Sequence, residues 1–151
     1  GKKAAIITLI GDMLKGLVPV IAVTMIEPAA AAIAITGLGA FLGHVFPVYY
    51  GFKGGKGVAT YYGVLLGFSW MAGIAALLIW LLTAFVSKIS SLSALFSALS
   101  APFILWYSSH SPELTVILGL MTALLFWRHR SNVRNIIEGK EHKIGVKKKA
   151  E

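Results

Sequence analysis

Long stretches almost without charge constrain this chain most strongly. Between Gly57 and Trp127 the only formally charged residues are Lys88 and Glu113. Over the whole chain 13% of residues are charged, against roughly 25% in soluble domains, and the mean hydropathy is +0.78. A water-soluble fold of 151 residues could not cover so much apolar side chain. The sequence therefore predicts an all-α polytopic membrane protein, with a single domain over residues 1–151.

Six hydrophobic segments follow one another, separated by proline, glycine or charged residues. We expect helices over residues 4–25, 29–46, 58–67, 70–86, 92–106 and 114–127. Several are shorter than the ~20 residues that cross a ~30 Å hydrocarbon core. About six short transmembrane or half-spanning helices with short loops are therefore predicted, with a break near Gly67-Phe68-Ser69 between the third and the fourth.

The basic residues predict how these helices are oriented. Eight of the fourteen lysines and arginines follow Trp127, and cytoplasmic segments are enriched in such residues. Six crossings place both chain ends, the Lys53–Lys56 loop and a basic tail over 139–151 on the cytoplasmic side. A single helix from Tyr61 to Val86 would instead put the tail outside. On a membrane protein such a tail marks the cytoplasmic face or meets anionic lipid, and no nucleic-acid partner is expected.

The most specific motif is a glycine- and lysine-rich loop, Phe52-Lys53-Gly54-Gly55-Lys56-Gly57, which follows His44 and Pro47. Glycines allow positive φ, expected at Gly55, and let backbone N–H groups approach a ligand closely. Two lysines in the same turn indicate an anion, and we expect a phosphate. The loop is not a Walker A motif, because Lys56 is followed by glycine and not by serine or threonine. An ordinary basic loop is the alternative.

A second cluster of polar residues follows the last hydrophobic segment, in Trp127-Arg128-His129-Arg130-Ser131-Asn132-Val133-Arg134. A continuous helix here would place His129 and Asn132 on one face and make Arg130 and Arg134 neighbours. Two such arginines repel unless an anion bridges them, while histidine and asparagine can hold a hydroxyl or move a proton. The alternative is a helix end whose arginines snorkel to the interface.

The first segment carries Asp12 and Lys15 within apolar sequence. Ionisable residues inside a membrane are costly and usually functional, although a buried ion pair is an equally good interpretation. The chain has no cysteine, no Gly-x-Ser-x-Gly motif, and four histidines without metal-site spacing. Thiol catalysis and a serine acyl-enzyme are thus excluded, and we expect no metal and no cofactor.

These motifs together resemble a known family over essentially the whole chain. Gly43-His44-Val45-Phe46-Pro47 with the glycine loop, the Trp127–Asn132 cluster with Gly139-x-Glu141, and Asp12-x-x-Lys15-Gly16 are similar to the acyl-phosphate:glycerol-3-phosphate acyltransferase (PlsY) family. The resemblance implies a seven-spanning protein of the bacterial inner membrane with its site on the cytoplasmic side. An earlier helix and a glycine-, serine- and asparagine-rich loop of the family have no counterpart in this sequence.

The resemblance also implies the reaction. An acyl group would pass from acyl phosphate to the 1-hydroxyl of sn-glycerol 3-phosphate, giving lysophosphatidate and phosphate in phospholipid biosynthesis. The expected catalytic residues are Lys56, His129 and Asn132. The expected substrate-binding residues are Asp12, Lys15, His44, Lys53, Gly54, Gly55, Gly57, Arg130 and Arg134. The alternatives are a membrane carrier of organic phosphates and an accessory membrane subunit.

Overall fold

The computed structural model describes residues 1–52 and 54–146 of the chain. These residues form seven α-helices and one 3₁₀ turn, Val48–Tyr50, and contain no strand. The helices are α1 (Lys2–Ile26), α2 (Ala30–Val45), α3 (Val58–Phe68), α4 (Trp70–Ser87), α5 (Ser90–Ser109), α6 (Pro112–Arg128) and α7 (Arg130–Ile137). The predicted all-α fold is thus confirmed. The expected binding residue Lys53 and the last five residues of the predicted tail, 147–151, lie outside the described residues.

Each of the six hydrophobic segments forms one helix, with ends that differ from the prediction by up to three residues. The predicted break between the third and fourth helices is confirmed at Ser69. Its backbone is extended, and its hydroxyl accepts a hydrogen bond from the N–H of Ala72, which caps the start of α4. Residues 61–86 therefore form two helices, as the charge distribution required.

The helices differ in length in a way that matters for the site. Three of them, α1, α4 and α5, are long and apolar enough to cross a membrane. The apolar helices α2 and α3 have 16 and 11 residues. At 1.5 Å per residue α3 spans only about 16 Å, roughly half of a hydrocarbon core. The glycine loop directly precedes this short helix.

Two glycines allow α1 and α3 to pack in parallel at close range. A Cβ atom at Gly16 would collide with the backbone of Thr60 and Val64, and one at Gly63 would collide with the carbonyl oxygen of Met13. The Thr60 hydroxyl donates to the Asp12 carbonyl at 2.9 Å. The first turn of α3 is therefore level with Asp12, while residues 2–11 of α1 extend about 15 Å further.

Short connections make the remaining helices antiparallel to their neighbours. Single residues or pairs join α3 to α4, α4 to α5 and α5 to α6. The core between them includes Phe41, Tyr61, Leu118 and Met121, each fully buried. As a result, His110 and Ser111 lie at one end of the bundle. The end of α2, the glycine loop, the start of α5 and the α6–α7 junction meet at the other.

Candidate active site

The glycine loop is built around close backbone contacts. A Cβ atom at Gly54 would collide with the carbonyl oxygens of His44 and Val45, and one at Gly55 would come within 2.7 Å of the His44 Nε2 atom. Gly57, at φ +84°, has the left-handed conformation that glycine adopts freely. The expectation of positive φ at Gly55 is wrong: Gly55 leaves room for His44, and Gly57 makes the turn into α3.

Arg128 holds the loop from its other side. Its Nη2 atom donates to the carbonyl oxygens of Gly54 at 2.5 Å and Gly55 at 3.1 Å. Helix α3 then begins without a side-chain cap at Gly57, so the N–H groups of its first turn remain available at the positive end of the helix dipole. The loop and the start of α3 together form a position suited to an anion.

Sequence reasoning did not include Arg128 among the site residues. The glycine loop could have indicated it. Its carbonyl groups are not paired in a helix or a sheet, so they need hydrogen-bond donors from elsewhere in the chain. Arg128 belongs to the second motif and is separated from Gly54 by 74 positions. Because the two residues are so far apart in sequence, neither motif alone predicts their contact.

A chain of short hydrogen bonds connects the two predicted motifs. The Lys56 ammonium donates to Oδ1 of Asn132 at 2.7 Å, and Nδ2 of Asn132 donates to Oε1 of Glu141 at 2.6 Å. The Ser91 hydroxyl donates to the same Glu141 oxygen at 2.5 Å. The structure thus brings the expected catalytic residues Lys56 and Asn132 into contact. It adds Ser91 and Glu141, which the sequence did not place in the site.

The network fixes the charge on Glu141. Burial alone would raise the pKa of its carboxyl group, but hydrogen bonds from Ser91, Asn132 and Asn135 outweigh it, and nearby Lys56 acts in the same direction. The pKa of Glu141 is therefore held below its ordinary value. An ionised Glu141 orients the Asn132 amide with its oxygen toward Lys56.

His129 lies in the junction between α6 and α7, where its side chain is only 2% exposed. The segment from Trp127 to Arg134 is therefore not one continuous helix. The Nδ1 atom of His129 lies 2.8 Å from the carbonyl oxygen of Leu125, so Nδ1 carries the proton and Nε2 is left as an acceptor. Burial lowers the pKa of the ring below 6.5, which keeps it neutral at physiological pH.

These polar groups line one end of a cavity of about 530 Å³. The polar lining residues are Lys56, Ser90, Ser91, His129, Asn132, Glu141 and His142. Most of the remaining wall is apolar and is formed by Leu9, Met13, Val58, Ala59, Tyr62, Leu77, Trp80 and Ala94. We call it the amphipathic cavity. Its shape suits a ligand that has an anionic or hydroxylated head and an apolar chain.

A second cavity of about 430 Å³ lies against the same loop and is lined by Lys15, His44, Gly54 and Gly55, among others. The Lys15 ammonium is 2.8 Å from the Asp12 carboxylate, and His44 Nδ1 is 3.6 Å from the same oxygen. The side chain of Lys15 is 64% exposed, so this ion pair is not buried. The structure therefore places Asp12, Lys15 and His44 together, and Lys15 and His44 line a different cavity from His129 and Asn132.

Arg130 and Arg134 line neither cavity. The Arg130 guanidinium lies 4.6 Å from the ring centre of Trp127 and donates to the Trp127 carbonyl oxygen. Arg134 donates to Glu138 at 2.8 Å. The structure therefore does not bring these two arginines together with the other expected site residues.

Comparison with known proteins identifies the family. The family model for glycerol-3-phosphate acyltransferase matches residues 1–139. The chain is 50% identical over 140 residues to a glycerol-3-phosphate acyltransferase of Nitrobacter winogradskyi, an alignment that covers 93% of this chain and 70% of the relative. It is also 50% identical over 148 residues to that of Thioalkalivibrio sulfidiphilus, which covers 98% and 73%.

Solved structures agree with the sequence comparison. The fold matches that of PlsY (YgiH), an integral membrane glycerol 3-phosphate acyltransferase whose structure contains glycerol 3-phosphate, with a TM-score of 0.92 and 32% identity. The match covers 96% of this chain and 73% of that one. The lysophosphatidic acid form of the same protein matches with the same TM-score. The chain therefore belongs to the glycerol-3-phosphate acyltransferase family of integral membrane proteins.

Proposed function

We propose that this protein transfers a fatty acyl group from acyl phosphate to the 1-hydroxyl of sn-glycerol 3-phosphate. The products are lysophosphatidate and inorganic phosphate. The observation that carries the proposal is the amphipathic cavity, where Lys56, His129 and Asn132 meet at one end of an apolar wall. Its two parts fit the headgroup and the chain of an acyl donor. The family and the ligands of the solved PlsY structures support the acceptor and the product.

The residues divide the chemical work between them. The start of α3 and Lys56 hold the phosphate of the donor and stabilise the charge that grows on it as it leaves. The amide of Asn132 and the Nε2 atom of His129 orient the attacking hydroxyl. Lys15, which lines the second cavity together with His44, supplies a second cationic position against the same loop. A reaction between two phosphate-bearing substrates requires two such positions, one for each phosphate.

In the reaction step the 1-hydroxyl oxygen bonds to the carbonyl carbon of the acyl phosphate. The bond from that carbon to the phosphate oxygen then breaks, and its electron pair leaves with the phosphate. The hydroxyl proton passes to His129 Nε2, which is neutral and able to accept it, and from there to the departing phosphate. Because acyl phosphate is already activated, positioning and charge stabilisation provide most of the rate enhancement.

We place this site on the cytoplasmic side of the bacterial inner membrane. The described residues that follow Trp127 include five lysines and arginines, and they belong to the end of the bundle that holds the site. Such a concentration of positive charge favours the cytoplasmic side. There the site can receive a water-soluble acceptor while the apolar wall receives the acyl chain.

The experiment that tests the proposal is turnover by the full-length protein purified in detergent. Palmitoyl phosphate and glycerol 3-phosphate should be converted to lysophosphatidate and inorganic phosphate in a one-to-one ratio. A carrier of organic phosphates would show no such chemistry in detergent, but would move glycerol 3-phosphate across sealed vesicles. Transport without turnover would therefore overturn the proposal in favour of a carrier.

A further inference from the structure

Helix α7 has two faces that serve different purposes. Successive residues of an α-helix are rotated by about 100°, so Asn132 points about 200° away from both Arg130 and Arg134. Asn132 faces the site, where it bonds to Lys56 and Glu141. The two arginines consequently lie on the opposite side of the helix, exposed, with 81% of the Arg134 side chain accessible. That outer face has no role in the chemistry proposed above.

An apolar crevice of about 250 Å³ runs beside α7. It is lined entirely by hydrophobic residues of α5, α6 and α7: Leu92, Leu95, Phe96, Leu99, Phe126, Val133, Ile136 and Ile137. Phe96 and Leu99 are more than half exposed, and Ile137 is 81% exposed. Because α5 is long and apolar enough to cross a membrane, we expect this exposed apolar rim to face the bilayer. The crevice follows α5 for two turns, about 10 Å into the membrane.

The charges around the crevice select the kind of lipid. Among residues 128–146 there are five lysines and arginines against two glutamates. Trp127, half exposed and covered by the Arg130 guanidinium, is a residue type that anchors helices at the interface. The long side chains of Arg130 and Arg134 can reach from this level toward a headgroup. A phospholipid with one acyl chain in the crevice would therefore have its phosphate close to these two arginines.

We propose that the crevice and the arginine face of α7 bind an anionic phospholipid of the surrounding bilayer. One acyl chain occupies the crevice, and Arg130 and Arg134 contact the negatively charged headgroup. The bound lipid also has a structural effect on the site. Helix α7 has only eight residues and none that is buried, so it gains little stability by itself. Lipid bound on its outer face steadies the helix that holds Asn132 against Lys56.

The test uses protein in nanodiscs that contain phosphatidylcholine and phosphatidylglycerol, with retained lipid quantified after mild extraction. The native protein should retain phosphatidylglycerol in preference to phosphatidylcholine. Arg134→Gln should weaken that preference about fivefold, the effect expected of one cation near an anionic lipid. Lys140→Gln is the matched control, because Lys140 bonds to the same Glu138 carboxylate at 2.8 Å but lies beyond α7. It should keep the native preference.

A second pair of variants tests the crevice. Leu99→Trp fills it and should reduce retention of phosphatidylglycerol, whereas Leu120→Trp, on an exposed part of α6 outside the crevice, should not. In native protein, phosphatidylglycerol should also slow hydrogen exchange at the amides of α7. If Arg134→Gln and Lys140→Gln reduce the preference for phosphatidylglycerol equally, the attraction of the lipid is a general effect of positive charge. That result would overturn the proposed lipid site. So would unchanged retention in Leu99→Trp. None of these measurements depends on acyl transfer.

Discussion

Lys56 takes part in two interactions, one through its side chain and one through its backbone. Its ammonium donates to Asn132, and its backbone belongs to the loop that leads into the uncapped start of α3. A ligand phosphate that displaces Asn132 as the acceptor, or shares the ammonium with it, would meet the side-chain cation and the helix N–H groups together. The residue thus joins the glycine loop to Asn132, one of the residues proposed to orient the hydroxyl.

Replacing this lysine should abolish most of the activity. We expect Lys56→Ala to lower kcat by about 10²–10³-fold, which corresponds to the loss of one preorganised donor to a developing anion. Lys3→Ala is the control, since Lys3 is an exposed cation at the start of α1, and it should leave turnover unchanged. Normal turnover by a folded Lys56→Ala protein would exclude the proposed role.

The neutral state of His129 predicts the pH dependence. Because burial lowers the pKa of this histidine, its Nε2 atom remains an acceptor as the pH falls through 6.5. Activity, measured as kcat/KM, should therefore decline only at pH values below the pKa of an ordinary histidine. Replacing the histidine of the second cavity, in His44→Gln, should leave the position of this acid limb unchanged. An acid limb at or above 6.5 would contradict the assignment of His129 as the base.

For individual residues, the sequence predicted several that lie together in the site, but not all of their hydrogen-bond partners. Lys56, His129 and Asn132 line one cavity, as expected of residues that share a site. Arg130 and Arg134 were grouped with them because a motif is continuous in sequence. An eight-residue helix nevertheless points consecutive residues in different directions. Ser91 could not be assigned, because its hydrogen bond to Glu141 across 50 positions leaves no local pattern. Glu141 belonged to the quoted motif, but no role in the site was expected for it.

Among the elements, the parallel pair of α1 and α3 determines where the loop sits. Close approach of the two backbones requires glycine at the contact points. We expect Gly63→Ala to destabilise the protein by about 1–3 kcal/mol, because its Cβ would overlap the Met13 carbonyl oxygen. Gly39→Ala is the matched control, since nothing lies within 4 Å of the atom it adds.

Thermal unfolding in detergent measures the difference between these two variants. A lower unfolding temperature for Gly63→Ala, with an unchanged value for Gly39→Ala, is the expected result. Equal stability of the two would mean that the backbones of α1 and α3 are not in close contact at Gly63.

The helices themselves were predictable from hydropathy, and their short lengths were predictable from the positions of Pro28, Pro47 and Ser69. The pairing of α1 with α3 was not. Small residues indicate that some helix approaches closely, but several helices carry them. The break at His129 was hidden as well, because no proline or glycine marks it. At this break the imidazole is buried, and its Nδ1 atom bonds to a carbonyl oxygen of the preceding turn.

For the whole molecule, the structure separates two ends of the bundle. Tyr49, beside the glycine loop, and Lys143 lie at one end, and His110 lies at the other, with all three exposed. Because the chain has no native cysteine, single cysteines can report which end faces the cytoplasm. In intact cells an impermeant thiol reagent should label His110→Cys and leave Tyr49→Cys and Lys143→Cys unlabelled.

Permeabilised cells provide the control, in which all three cysteines should react. Labelling of Lys143→Cys but not Tyr49→Cys in intact cells would place the two motifs on opposite faces. That result would be incompatible with the contact between Lys56 and Asn132, and therefore with a shared site.

The hydrogen bonds from Arg128 to the glycine loop also set an order of events during synthesis. Gly54 is translated 74 residues before the arginine that holds its carbonyl. At roughly 5–20 residues per second, the ribosome needs about 4–15 seconds to bridge that interval. During this interval the loop exists without the arginine that holds it. The proposed phosphate position can therefore form only after α6, which ends at Arg128, has been synthesised.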